Sequence, residues 1–151
     1  MSMLAAVRPD SWNFPLLLHV LGAMILVGGT LTAAAALVAA RGDVRMLRLG
    51  YWSLLTVALP GYVLMRIGGQ WVYSKEGLDD AAIDFAWATI GFAVADAGAL
   101  LLLIALIVGG IGMYRLRAGK GTGFLKATMV ISLILLAAFV VAVWAMSAKP
   151  D

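Results

Sequence analysis

The sequence predicts an all-α membrane protein, a single domain folded as an up-down bundle of four transmembrane helices. Three observations carry this. Hydrophobic residues are 64% of the 151 residues and charged residues 13%, whereas a soluble domain holds roughly 45–50% apolar and about 25% charged residues. Mean hydropathy is +1.01. No Asp, Glu, Lys or Arg occurs from Ser11 to Ala40, Leu49 to Met65, Ala97 to Tyr114 or Ala127 to Ala148. A soluble fold of this size could not cover so much apolar surface, which excludes ordinary cytosolic enzymes, disordered chains, collagens and disulfide scaffolds.

A spanning helix needs about 20 apolar residues at about 1.5 Å each. The first is expected over 14–40. Its apolar run is too long for a cleaved signal segment and its basic cluster follows rather than precedes it, so it is read as retained. The tract Ala33–Ala36 is then a packing surface. The second helix is expected over 49–72, interrupted by Arg66, with a kink at Pro60-Gly61. Proline lacks the N–H that would meet the Thr56 carbonyl. The third spans 82–114 and contains Asp84 and Asp96. The fourth spans 122–147 and carries Lys126 one turn in. Four spans leave no separate soluble domain.

Lys and Arg set the orientation. Arg41, Arg45 and Arg48 fall in the loop after the first helix, and Arg115, Arg117 and Lys120 in the loop after the third. Arg8, Lys75 and Lys149 fall on the other side. Both basic loops are therefore expected in the cytoplasm and both termini outside. Trp12, Trp71, Tyr73 and Trp87 mark the outer boundary, and Tyr51, Trp52 and Tyr114 the inner one, as aromatic belts. The net charge of +3 reads as a topology signal with anionic headgroups as partners, and no basic soluble domain exists to bind nucleic acid.

The chain has no cysteine, which removes disulfides, thiolate catalysis and thiolate metal sites. Phosphate-loop, dinucleotide, HExxH and GxSxG motifs are absent as well. What remains is a short set of polar residues inside the bilayer, where each is costly and faces the bundle interior as a rule. Counting from the outer ends at 1.5 Å per residue, His19 lies about 7 Å deep, Thr89 about 8 Å, Arg66 about 10 Å, Tyr62 about 16 Å and Asp96 about 18 Å. Tyr62, Arg66 and Gln70 recur every four residues and form one stripe. Thr89 and Asp96 share a face with Phe85, Phe92 and Leu103. His19 shares one with Gly22, Ala23, Thr30 and Ala33. Gly91, Ala95 and Ala99 make a small-residue row beside Asp96.

Turning these faces inward gives an outer-half cavity lined by His19, Arg66, Gln70 and Thr89, with Tyr62 and Asp96 at its floor. Arg66 then has two courses. Paired with Asp96, it fixes helix register; aimed at an anionic group, it binds a ligand. The single histidine also allows a haem reading, with His19 as one axial ligand and Met24, Met65 or a second subunit as the other. One His and one Asp are too few for a catalytic metal.

The stretch Leu18-His19-Val20-Leu21-Gly22-Ala23 with Gly28-Gly29 resembles the opening of several bacterial families of small polytopic proteins. With Arg41-Gly42-Asp43, Leu59-Pro60-Gly61-Tyr62-Val63-Leu64-Met65-Arg66-Ile67-Gly68-Gly69-Gln70-Trp71 and Ser74-Lys75-Glu76, most of the chain resembles an uncharacterised family of four-helix integral membrane proteins. That likeness implies a bacterial cytoplasmic-membrane location and no particular activity. The first-helix histidine and glycines also resemble, more distantly, the copper-resistance D and HemJ-type protoporphyrinogen oxidase families. That likeness implies haem b on His19.

The leading expectation is a non-enzymatic membrane protein, without a cofactor, whose polar site binds a small amphiphile (lipid or quinone) or docks a membrane partner. The alternatives are a haem or redox protein using His19 and a proton or ion path through Asp96 and Tyr62. Small-residue faces make a homo-oligomer or a larger membrane complex plausible.

Overall fold

The structure is a computed structural model and describes residues 10–77 and 86–148. Arg8, Lys149, Asp79, Asp80, Asp84, Phe85 and the start of the third expected helix lie outside the described residues. Among the described residues the secondary structure is helical, without a strand. Helix α1 runs Asn13–Ala39 after a 3-10 turn at Asp10–Trp12, α2 Val44–Ser53, α3 Leu59–Lys75, α4 Ala86–Arg117 and α5 Gly123–Ala148. Three helical stretches, Asp10–Ala39, Ala86–Arg117 and Gly123–Ala148, are long and apolar enough to cross a membrane.

The second expected helix is segmented and longer than its hydropathy indicated. A π turn at Leu54–Ala58 joins α2 to α3, and Leu59 N–H donates to the Leu54 carbonyl five residues back. The wide turn ends two residues before Pro60. One inserted residue rotates the following helix by about 100° relative to the preceding one, so the turn resets which side of α3 faces its neighbours. Arg45 and Arg48 correct the sequence reading: they are helical residues of α2 rather than loop residues. Asp43 explains the earlier start, because its carboxylate accepts from Arg45 N–H at 2.8 Å and caps α2. The turn before it holds Arg41 at φ 42° and Gly42 at φ 98°, left-handed conformations that glycine adopts freely.

The helices alternate in direction and pack as two glycine-zipped pairs. In the α1–α3 pair, a Cβ added to Gly22 would fall on the backbone of Met65, and one on Gly68 on the backbone of His19. Farther along α1, a Cβ on Gly61 would lie 2.5 Å from Leu26 N, and one on Gly29 2.7 Å from Ala58 N. Each helix thus presents two glycines seven residues apart, and backbones touch where they meet. In the α4–α5 pair, Gly98 receives the Phe139 ring and Gly112 receives Leu125. Gly91 receives Met146. Ala105 completes the row 91, 98, 105, 112, all buried. The small-residue face of α4 thus has a period of seven. The expected row of Gly91, Ala95 and Ala99 shares Gly91 with it, while Ala95 and Ala99 lie half-buried to one side.

The two pairs meet in a core of Leu26, Ala33, Leu54, Ala58, Leu102, Ala105, Leu135 and Phe139. Hydroxyls inside it are satisfied locally. Thr30, Thr128 and Ser132 donate to carbonyls four residues back at 2.8, 2.9 and 2.8 Å, and Ser53 donates across to Gly29 O at 2.8 Å. Among the described residues no buried side-chain nitrogen or oxygen lacks a partner.

Candidate functional site

The α3–α4 contact is built differently from the glycine seams. Long side chains bridge it. Tyr62 Oη donates to Ala95 O at 3.1 Å, and Arg66 Nη2 lies 2.8 Å from Asp96 Oδ1. Arg66 Cζ also sits 5.4 Å from the centroid of the Phe92 ring, whose edge contact with Tyr73 has centroids 5.0 Å apart. Of the two courses open to Arg66, the structure takes the ion pair with Asp96. The stripe of Tyr62 and Arg66 and the face of Phe92 and Asp96 thus do come together, as their helical phases predicted.

Among the described residues they do not enclose a cavity. The Arg66 side chain is 35% exposed and that of Asp96 66% exposed, so Asp96 is a surface residue rather than the floor of a chamber. Gln70 and Thr89 are exposed on α3 and α4. The space beside the ion pair is an open cleft of about 490 Å³ along α3, lined by Arg66, Ile67, Gln70, Trp71 and Ser74. Its wall is mostly apolar; two rows of residues run along it, Arg66, Gln70 and Ser74 at four-residue spacing and Ile67 and Trp71 beside them. The first row was legible as the Arg66–Gln70 spacing. Ile67, Trp71 and Ser74 were missed, although the same four-residue count extends to Ser74.

His19 stands apart, half-buried in the α1–α3 seam. Its Nδ1 lies 2.9 Å from the Met65 carbonyl oxygen. A carbonyl only accepts, so Nδ1 carries the hydrogen, and in the neutral ring Nε2 carries the lone pair. Gly69 makes room for the imidazole, since a Cβ there would lie 2.7 Å from Nδ1. Met65 therefore meets His19 through its backbone. Met24 is 67% exposed. Among the described residues no three His, Cys, Asp or Glu side chains gather as a metal site.

Chemically, the site offers a guanidinium already matched to a carboxylate, with donors to spare. A guanidinium carries five N–H groups and a carboxylate accepts at both oxygens, and the 2.8 Å contact joins one nitrogen to one oxygen. The arrangement is suited to recognition of further charged or hydrogen-bonding groups. Compared with protein-family models, curated proteins and solved structures, the chain matches none.

Proposed function

We propose that this chain is a non-enzymatic multi-pass protein of the bacterial cytoplasmic membrane whose α3–α4 face docks another membrane polypeptide. In this reading the rod from Val44 to Lys75 is the fourth span, both termini lie outside, and the protein belongs with the four-helix family it resembles. One observation carries the docking: the Arg66–Asp96 pair is 35% and 66% exposed on the outer side of α4, a helix long and apolar enough to cross a membrane. Asp96 is about 15 Å along α4 from Ala86, too deep for a short acidic side chain to reach water. A charged residue facing lipid near the middle of a span costs about 2.5–3.5 kcal/mol on insertion scales, and a docked helix that shields the pair removes part of that cost.

The absence of cysteine gives a direct test. Ala97→Cys places a thiol on the exposed side of α4 beside Asp96, and Val140→Cys places one on α5, where Val140 is 53% exposed. In native membranes the thiol at position 97 is expected to react with a lipid-soluble maleimide more slowly than the thiol at 140. Equal rates would mean an open, lipid-facing surface and would end the docking reading. A second reading, favoured by the two rows along the cleft, is a small amphiphile (lipid or quinone) lying along α3 with its head on Arg66 and Gln70 and its tail on Ile67 and Trp71. It requires a stoichiometric amphiphile in the mass spectrum of gently extracted protein and its loss in Arg66→Leu.

A further inference from the structure

The charges on the α3–α4 face narrow the choice of partner. Arg66 and Asp96 meet at 2.8 Å, so opposite charges stand side by side at one depth. Two copies inserted in a membrane with the same orientation are related by a two-fold axis along the membrane normal. Rotation about that axis leaves depth unchanged, and a two-fold interface uses the same patch on both subunits. Opposing two α3–α4 faces therefore brings Arg66 of each copy level with Asp96 of the other. A lipid headgroup, zwitterionic or anionic, carries its charges at the membrane surface, whereas Asp96 lies about 15 Å along α4 from Ala86. An unrelated helix would need its own acid and base at the same level.

We propose that this face is the interface of a homodimer in which the Arg66 guanidinium of each copy also engages the Asp96 carboxylate of the other. The proposal rests on the reading that the α3–α4 face is covered, and it names the cover. Shape agrees with charge. Thr89, Ala93 and Ala97 are exposed and four residues apart on α4, and such small-residue spacing lets helices approach closely in a membrane. Farther along the same side, Leu100, Leu103 and Ile107 are bulky and 62%, 52% and 63% exposed. Close approach is thus confined to the level of Asp96, where the charges need it. With two guanidinium groups and two carboxylates in a ring, each copy completes the other's site.

The test is a charge exchange. The double variant Arg66→Asp/Asp96→Arg keeps opposite charges within one chain and also between two copies of itself. Mixed with the unchanged chain, it sets cation against cation and acid against acid across the interface. Donor- and acceptor-labelled copies in liposomes report association by energy transfer. Like is expected to associate with like for both chains, and the mixed pair about tenfold more weakly or worse, because opposed like charges cost several kcal/mol. Equal transfer in mixed and like pairs would overturn the proposal, as would a monomeric unchanged chain. Should the exchanged chain fail to fold, Ala93→Cys decides in its place. It is expected to form a disulfide-linked dimer in membranes faster than Val140→Cys, and an equal or slower rate would overturn the homodimer. If the thiol at 97 stays protected in native membranes while these tests fail, the face is covered by something other than a second copy. The homodimer then falls and the docking reading stands.

Discussion

Gly28 and Gly29 are neighbours in α1, yet alanine at the two positions is expected to have opposite effects. At Gly28 an added Cβ meets nothing within 4 Å. The substitution there gains helix propensity, up to about 1 kcal/mol. At Gly29 the same methyl would lie 2.7 Å from Ala58 N and 3.0 Å from Ala58 Cα, whereas carbon contacts settle near roughly 3.5–4.0 Å. Backbone cannot rotate away, so α1 and the rod of α2 and α3 must part by roughly 0.5–1 Å, an overpacking that costs about 1–3 kcal/mol. The Ser53 hydroxyl, 2.8 Å from Gly29 O, would be stretched by the same movement; interhelical hydrogen bonds in membranes average about 0.6 kcal/mol. Helix propensity is gained at both positions and cancels in the comparison, so the two variants should differ by about 1–3.5 kcal/mol, roughly 5- to 400-fold in the unfolding equilibrium. Reversible unfolding in mixed micelles measures this directly. If Gly29→Ala matched Gly28→Ala in stability, the backbone contact between α1 and the π turn would not exist and the glycine-seam account of the fold would fail.

Asp43→Ala removes the cap of α2 and should cost about 1 kcal/mol by the same unfolding measurement, with Asp43→Asn nearly silent. Arg66→Leu leaves Asp96 without its partner on an apolar helix. It should destabilise the protein by more than Arg66→Leu/Asp96→Leu, which removes both charges and should be close to neutral. A single variant no worse than the double would place the pair in water instead. For haem on His19, gently extracted protein must show a Soret band that His19→Ala abolishes; a colourless protein with haem supplied during expression ends that alternative. For a proton path through Asp96, liposomes must show a pH-driven flux that Asp96→Asn removes, and unchanged flux in that variant refutes it.

The helices were legible because charge is excluded from long stretches of the chain, and the ends of α1, α4 and α5 follow from where it returns. The start of α2 was not, since Val44–Arg48 carries two arginines and hydropathy places such residues in a loop; the signal was Asp43, an N-cap residue two before Arg45. The π turn was illegible: Pro60 marks a local disturbance, but whether the chain answers with a kink or an inserted residue depends on α1 packed against it. Helical phase brought Tyr62, Arg66, Phe92 and Asp96 together correctly. It failed on inside and outside. Inward-facing polar residues are a trend of membrane bundles rather than a requirement, and helices apolar all round carry no second stripe to fix their rotation. His19 was grouped with Arg66 by depth and by the small-residue face it shares with Gly22, and its seam partner is a backbone carbonyl, which no side-chain pattern records.

The contrast among the seams is the strongest argument that the α3–α4 face serves something beyond the fold. Where α1 meets α3, and α4 meets α5, glycines recur every seven residues and the helices touch closely. The polar contacts across the α1 seam, His19 to Met65 O and Ser53 to Gly29 O, end on backbone carbonyls and involve no ion pair. Between α3 and α4 the spacing is left to Tyr62, Arg66, Phe92 and Tyr73, side chains long enough to cross a gap. A sequence shaped for stability alone could close that gap with the same small residues, and it would then need neither Arg66 nor Asp96 in an apolar helix. Thr89, Ala93 and Ala97 are present on α4, but they are exposed rather than turned into a seam. Close-packing residues and an exposed ion pair thus lie together on an outward surface, which is the combination that the proposed interface between two copies uses.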